Sequence, residues 1–332
     1  MSDSVSITAR ARALYDQRQY AELVELLAPM RAELIETAPY AAFYLADAWR
    51  RLGQQPAALE LVSSFATSAK RSGIPRLELD RLNLEGMLRF ETGDIPGAET
   101  SWRDLLARAN AEASDDFIAR ANNNLGIIYT LQARTPEAVM SYQRAVAAYK
   151  SFGSMRGLAQ SHQNLAITYR TLEMFDESDA HFDEAIRCAR VGDNEDEIAR
   201  AEQERALLIY LRSRDGALAR LTAKRAMGRF SSLNDPVGVG DSVRVLAMIE
   251  LGEGNTPSAQ KHGEAALETA RASGHSLLEA ELLEVLAGVA RKRADSVIAG
   301  QLESQATELF ARLHAPAWGT RFRETVQRLT TL

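Results

Sequence analysis

Three asparagines in a row, Asn122-Asn123-Asn124, are the residues of this chain whose type and spacing speak first of chemistry. Asn is a poor helix former, about 0.6 kcal/mol worse than Ala, so three inside one helix cost about 2 kcal/mol. Each amide offers a donor and an acceptor, which suits pairing with the main chain of a bound peptide. Asn164 recurs one repeat after Asn124. The other reading of the run is solvated surface, or Asn122 bonding between helices. Arg120, Arg170, Arg205 and Arg244 form a second group. Guanidinium forks match carboxylates bidentately, so these residues could read an acidic ligand or a free carboxylate. Their alternative is pairing with neighbours such as Glu204. Tyr40, Phe43 and Tyr44 read as core before they read as a ligand platform.

Catalytic chemistry is not indicated. His162, His181, His262, His275 and His314 are scattered, and His181-x-x-Glu184 alone is a weak metal signal. Cys188 reads as a small core residue. There is no Gly-rich phosphate loop and no G-x-S-x-G. No cofactor, no metal and no enzymatic activity are therefore expected.

Composition sets the class. The chain has 332 residues, 46% hydrophobic and 25% charged, with 9 prolines and 20 glycines. That is globular and helix-leaning. A net charge of −6 gives no reason to expect a nucleic-acid partner. The single cysteine fits a reducing compartment, and no signal peptide or membrane-length apolar run is visible, so a cytoplasmic location is expected.

The elements that must position these residues come from a repeat. Ala58, Ala98, Ala138, Ser178, Ala219, Ala259 and Ala299 recur at steps of 40 residues with a single 41. A second column, Ala46, Gly86, Gly126, Ala166, Leu207, Ala247 and Ala287, is small except at Leu207, which should push its two helices apart. Pro56, Pro96, Pro136 and Pro257 fall ten residues after this column, where a second helix should begin. Pro75, Pro236 and Pro316 fall eleven before it, in the connection between pairs. Proline inside a helix costs about 3 kcal/mol but is tolerated at the first position, so this register implies helix pairs. In Thr135-Pro136-Glu137 the Thr should cap, with Glu at the positive helix end. Ser72-Gly73, Phe152-Gly153, Val191-Gly192, Ser273-Gly274 and Leu233-Asn234 lie at similar phases, where Gly or Asn can end a helix in the left-handed conformation.

Leu125-Gly126-x-x-Tyr129 followed by Ala138-x-x-x-Tyr142-x-x-Ala145 resembles the tetratricopeptide (TPR) repeat. Leu165-Ala166-x-x-Tyr169 and Ser178-x-x-x-Phe182-x-x-Ala185 repeat the pattern. Two departures are Asn122 where the family has tryptophan, and the missing closing proline. The 40-residue period is similar to the long variant of kinesin light chains and bacterial peptide-sensing regulators. The resemblance implies an all-α solenoid of antiparallel helix pairs in one domain, 1–332. Residues 5–36 form an irregular first hairpin, 39–313 seven repeats, and 316–332 a capping helix over the final pair. About 17 helices and no strand are expected.

By the same resemblance, groove-facing positions lie six, three and two residues before the small column and one and four after it. They include Asn83, Arg120, Asn123, Asn124, Gln160, Asn164, Arg170, Arg205 and Arg244. The implied function is a non-catalytic adaptor holding a peptide or protein segment, acidic or with a free carboxylate, in the concave groove. The alternatives are a ligand-sensing regulator that changes superhelical pitch, and a self-assembling homo-oligomeric scaffold. Neither nucleic acid nor membrane is an expected partner.

Overall fold

The computed structural model describes residues 2–74 and 76–331. Met1, Pro75 and Leu332 lie outside the described residues, and with Pro75 goes one of the register prolines. Every described element is helical: nineteen α-helices, α1 (Ser2–Asp16) to α19 (Pro316–Thr331), and one 3-10 turn. The two helices beyond the expected count come from breaks. Pro29 lies in the 3-10 turn that separates α2 (Tyr20–Leu27) from α3 (Arg31–Thr37), where its missing N–H interrupts the helical ladder. At Phe65, between α5 (Gln55–Ser64) and α6 (Ala66–Arg71), the Ser64 and Ser68 hydroxyls donate to the Leu61 and Phe65 carbonyls and compete with the backbone.

From α8 (Ile95–Ala111) to α18 (Ser296–Arg312) every helix has 17 residues except α13 (Glu195–Ser213), which has 19. Each is closed by a left-handed residue: Ala113, Ala133, Gly153, Glu173, Asp193, Arg214, Asn234, Gly254, Gly274, Ala294 and His314. The 40-residue period is thus two half-repeats of 20, a helix of 17 and a turn of three. Arg134 N–H reaches back to the Tyr129 carbonyl at 2.8 Å, and Ser114 N–H to the Ala109 carbonyl at 2.9 Å, which satisfies the orphan carbonyls of the helix ends. At the fourth connection the left-handed residue is Asp193, not the expected Gly192. Periodic geometry overrides residue preference there, as it does at Ala113 and Ala133.

Other expectations shift by a residue. Thr135 does not cap α10 (Thr135–Ser151): Arg134 is the N-cap, and the buried Thr135 hydroxyl has no hydrogen-bond partner among the described residues. Pro236 and Pro316 open α15 (Pro236–Gly252) and α19 as their first helical residues. The small column holds the pairs together as its spacing requires. A Cβ on Gly126 would stand 2.5 Å from the Tyr142 ring, and one on Gly86 2.4 Å from Trp102. The first helices after α7 (Leu77–Glu91) begin at 115, 155, 195, 236, 276 and 316. Counted from these starts, the small position of α13 is Ala206, fully buried, and not Leu207. The extra length of α13 lies after that position, so the column is small throughout and Leu207 forces nothing apart. Every position expected in α13 rotates by one residue, about 100° around the helix.

Contacts cluster into two compact units, residues 1–121 and 122–332, with the boundary inside α9 (Asp115–Leu131). In the first unit Tyr15, Tyr40, Phe43 and Tyr44 stack on one another beside a core of Leu23, Leu27, Leu34 and Phe65. In the second unit α19 starts 40 residues after α17 (Ser276–Lys292), at the phase of a first helix of the repeat. It packs on the preceding pair, with Phe310 against Gly319 and Val326 against Gly288. Phe322, Val326 and Leu329 also join Leu207, Val245 and Val285 in one apolar cluster.

Candidate functional site

The first helices of the second unit, α9, α11 (Met155–Thr171), α13, α15, α17 and α19, enclose a cavity of about 810 Å³. Helical periodicity decides which side chains reach it. Relative to the small column, the residue one step on supplies Ile127, Ile167, Leu207, Met248 and Arg328; the residue four on supplies Thr130 and Arg170. Positions before the column supply Asn164, Gln203, Glu204, Asp241, Arg244 and Glu281. The wall alternates apolar and charged groups, as ligand pockets of this size do.

The charged groups form one buried chain across four helices. Arg170 donates to the Glu204 carboxylate and carbonyl, both at 2.7 Å. Arg244 donates to Asp241 at 2.6 Å and reaches Glu204 and Glu281, each at 3.2 Å. Trp318 Nε1–H donates to Glu281 at 2.8 Å, and the Arg244 guanidinium lies over the Phe322 ring. Burial works against the Glu204 carboxylate, but Arg170 and Arg244 outweigh it and hold its pKa below the ordinary value. Glu281 goes the other way. Burial is the largest influence and Asp241 adds to it, so despite Arg244 and Trp318 its pKa rises to about 7. Two guanidiniums, Arg170 and Arg244, already balance Glu204 and Asp241, so an ionised Glu281 would be an uncompensated buried charge.

No protein-family model and no curated protein matches the sequence. Solved structures do. One is a Rap protein complexed with competence and sporulation factor, with a TM-score of 0.65 and 14% identity over 100% of this chain and 99% of that one. The quorum sensor NprR from B. thuringiensis, in its apo form, gives 0.56 and 11% identity over 99% of each chain. Aspartyl phosphate phosphatase F from Bacillus subtilis gives 0.57 and 15% identity over 100% of this chain and 95% of that one. The fold is that of the tetratricopeptide-repeat proteins. At these identities the likeness concerns the TPR architecture and not the ligand.

In the TPR frame the residues named from sequence part company. Asn164, Arg170 and Arg244 line the cavity. Asn123 is buried and bonds between repeats: its carbonyl accepts from Ser161 at 3.1 Å and from Asn164 at 3.2 Å. Asn124 is half-buried beside it and is not among the residues that line the cavity. Gln160 donates to Glu197 at 2.6 Å. Arg205 turns toward α12 (Phe175–Val191) and pairs with Asp179 and Asp183, because α13 is rotated by one residue from the expected register. Arg120 is exposed over Phe117, and Asn83 is buried; both belong to the first unit.

Sequence reading missed Gln203, Leu207, Arg321, Thr325 and Arg328. The first two were hidden by the one-residue slip. The others lie on α19, which reads as a cap unless the 40-residue step to Pro316 is taken as the start of another repeat. The structure also joins two histidines that look scattered: His162 and His181 face each other with Nδ1···Nδ1 at 2.9 Å, and Tyr169 stacks on His181. Burial, with the neighbouring His181, pushes the His162 pKa down to about 4. Among the described residues no group of three or more His, Cys, Asp or Glu converges to hold a metal ion. No described helix is long and apolar enough to cross a membrane.

Proposed function

We propose that this protein is a non-catalytic peptide-binding protein whose site is the cavity of the second unit. The observation that carries the proposal is the cavity itself: about 810 Å³, built by six first helices, with amide, guanidinium and apolar groups alternating along its wall. Asn164, Gln203 and Thr130 offer main-chain partners to an extended peptide, and Ile127, Ile167 and Leu207 offer apolar contacts. The Rap protein similar in fold is complexed with competence and sporulation factor, which is consistent with this use of the architecture. Asn123, Asn124 and Gln160 act as supports between repeats on this reading. Arg205, Arg120 and Asn83 stand outside the cavity.

The regulatory version of this function has one observation in its favour. The cavity is walled both by α9 and α11, at the start of the second unit, and by α19, at its end. A ligand touching both walls would change the pitch of the repeats between them, which is how a sensor would signal. The test is selection of binders from a random pentapeptide library on the wild-type protein and on Leu207→Arg, which fills the cavity. Wild-type-only enrichment supports the site. Equal enrichment on both proteins places binding elsewhere. Hydrolysis of acetyl phosphate by the purified protein, above background, would contradict the non-catalytic reading.

A further inference from the structure

We infer that Arg321, assisted by Arg328, is the carboxylate anchor of this cavity, and that the peptide it takes presents a free C-terminal carboxylate or an acidic side chain to α19. This rests on the peptide-binding reading above and assigns the end of the site that recognises charge. Two cations of the cavity wall are already spent. Arg170 and Arg244 are saturated by Glu204, Asp241 and Glu281, at 9% and 5% side-chain exposure. Removing them from these partners would strand buried carboxylates, a penalty of the kind that makes buried pairs poor ligand readers. Arg321 is different. It stands at the position of Asp241 and Glu281 in the repeat, half-buried on the cavity wall. Among the described residues no carboxylate lies within ion-pair distance of it, and its Nη2 donates to the Ala133 carbonyl at 3.3 Å.

Arg328 lies two turns further along the same face of α19 and pairs with Glu173. Both side chains of that pair are more than half exposed, so the pair contributes little and can exchange partners. Arg321 and Arg328 are seven residues apart, about 10 Å along the helix axis. An extended peptide covers that span in three residues. The geometry therefore favours a carboxylate at the C-terminus with a second acid three residues before it. Two guanidiniums reaching across the cavity mouth to the α9–α10 and α11–α12 turns also make this the contact through which a ligand would tie α19 to the opposite wall.

The experiment uses the full chain and two pentapeptide libraries of the same random composition, one with free carboxyl ends and one amidated. Retention is measured on wild type, Arg321→Gln, Arg321→Lys and Arg328→Gln, each checked for an unchanged melting curve. The inference predicts enrichment from the free-carboxyl library, with acids favoured three residues before the end. Arg321→Gln should weaken the selected peptides about 10- to 100-fold, the range for a charge-assisted hydrogen bond, with partial rescue by Lys. Equal enrichment of both libraries without loss on Arg321→Gln overturns the anchor and leaves peptide binding standing. No enrichment from either library overturns both.

Discussion

Glu281→Gln isolates the electrostatics of the cavity. The wild-type carboxyl is buried among Arg244, Asp241, Glu204 and Trp318, with a pKa of about 7 against an ordinary 4.5. A carboxyl whose folded pKa is raised binds its proton more tightly in the folded state. Its contribution to stability is therefore fully present below about pH 4.5 and is lost as pH rises through about 7. The displacement of 2.5 pH units corresponds to about 3 kcal/mol. Glutamine keeps an acceptor for the Trp318 N–H and cannot ionise. The variant should lie within about 1 kcal/mol of wild type at pH 5 and exceed it by up to about 3 kcal/mol at pH 8. Urea unfolding curves at half-unit steps from pH 5 to 8.5, followed by far-UV circular dichroism, measure this directly. A difference between the two proteins that does not change with pH would refute the charge balance, because it would mean that Arg244 keeps Glu281 ionised throughout.

Other outcomes follow from the same geometry. Gly126→Ala drives a Cβ into the Tyr142 ring and should lower stability by about 1–3 kcal/mol in denaturant melts, while Gly300→Ala, where a Cβ would meet nothing within 4 Å, should be neutral or slightly stabilising. Ala294→Gly relieves a left-handed alanine in an exposed turn and should raise stability by up to about 1 kcal/mol, read as a higher melting temperature. Arg170→Ala should abolish binding of library-selected peptides and destabilise the fold, whereas Arg205→Ala should leave their affinity unchanged; an affinity loss at Arg205 would restore the sequence register for α13.

The period, the small column and the proline register were legible because close helix packing admits few residue types at those points. Gly126 and Gly86 are where they are because an aromatic ring occupies the space of their missing side chain. The left-handed residue every 20 positions was only half legible. Alanine, glutamate, aspartate and histidine occupy it at Ala113, Glu173, Asp193 and His314, and packing of whole helices dictates the conformation there instead of glycine's freedom. Site residues were the least legible. The extra length of α13 lies after Ala206, so a register carried across it misplaces Arg205 on the cavity wall and Leu207 at the helix crossing. The meeting of His162 and His181 has no sequence periodicity to announce it. Polar positions on the groove face also serve two ends that share one chemistry: Asn123 joins repeats through the same amide that could hold a peptide.

The most direct test of the central claim is hydrogen–deuterium exchange on the full chain, with and without a saturating library-selected peptide. Binding in the cavity predicts slowed exchange in α9, α11, α13, α15 and α17 and in α19, with smaller changes in α10, α12 and α14, which reach the cavity through Tyr142, Phe175 and Phe230, and none in α16. Protection confined to those second helices, or to residues before Ala121, would contradict the account and move the binding surface off the face built by the first helices.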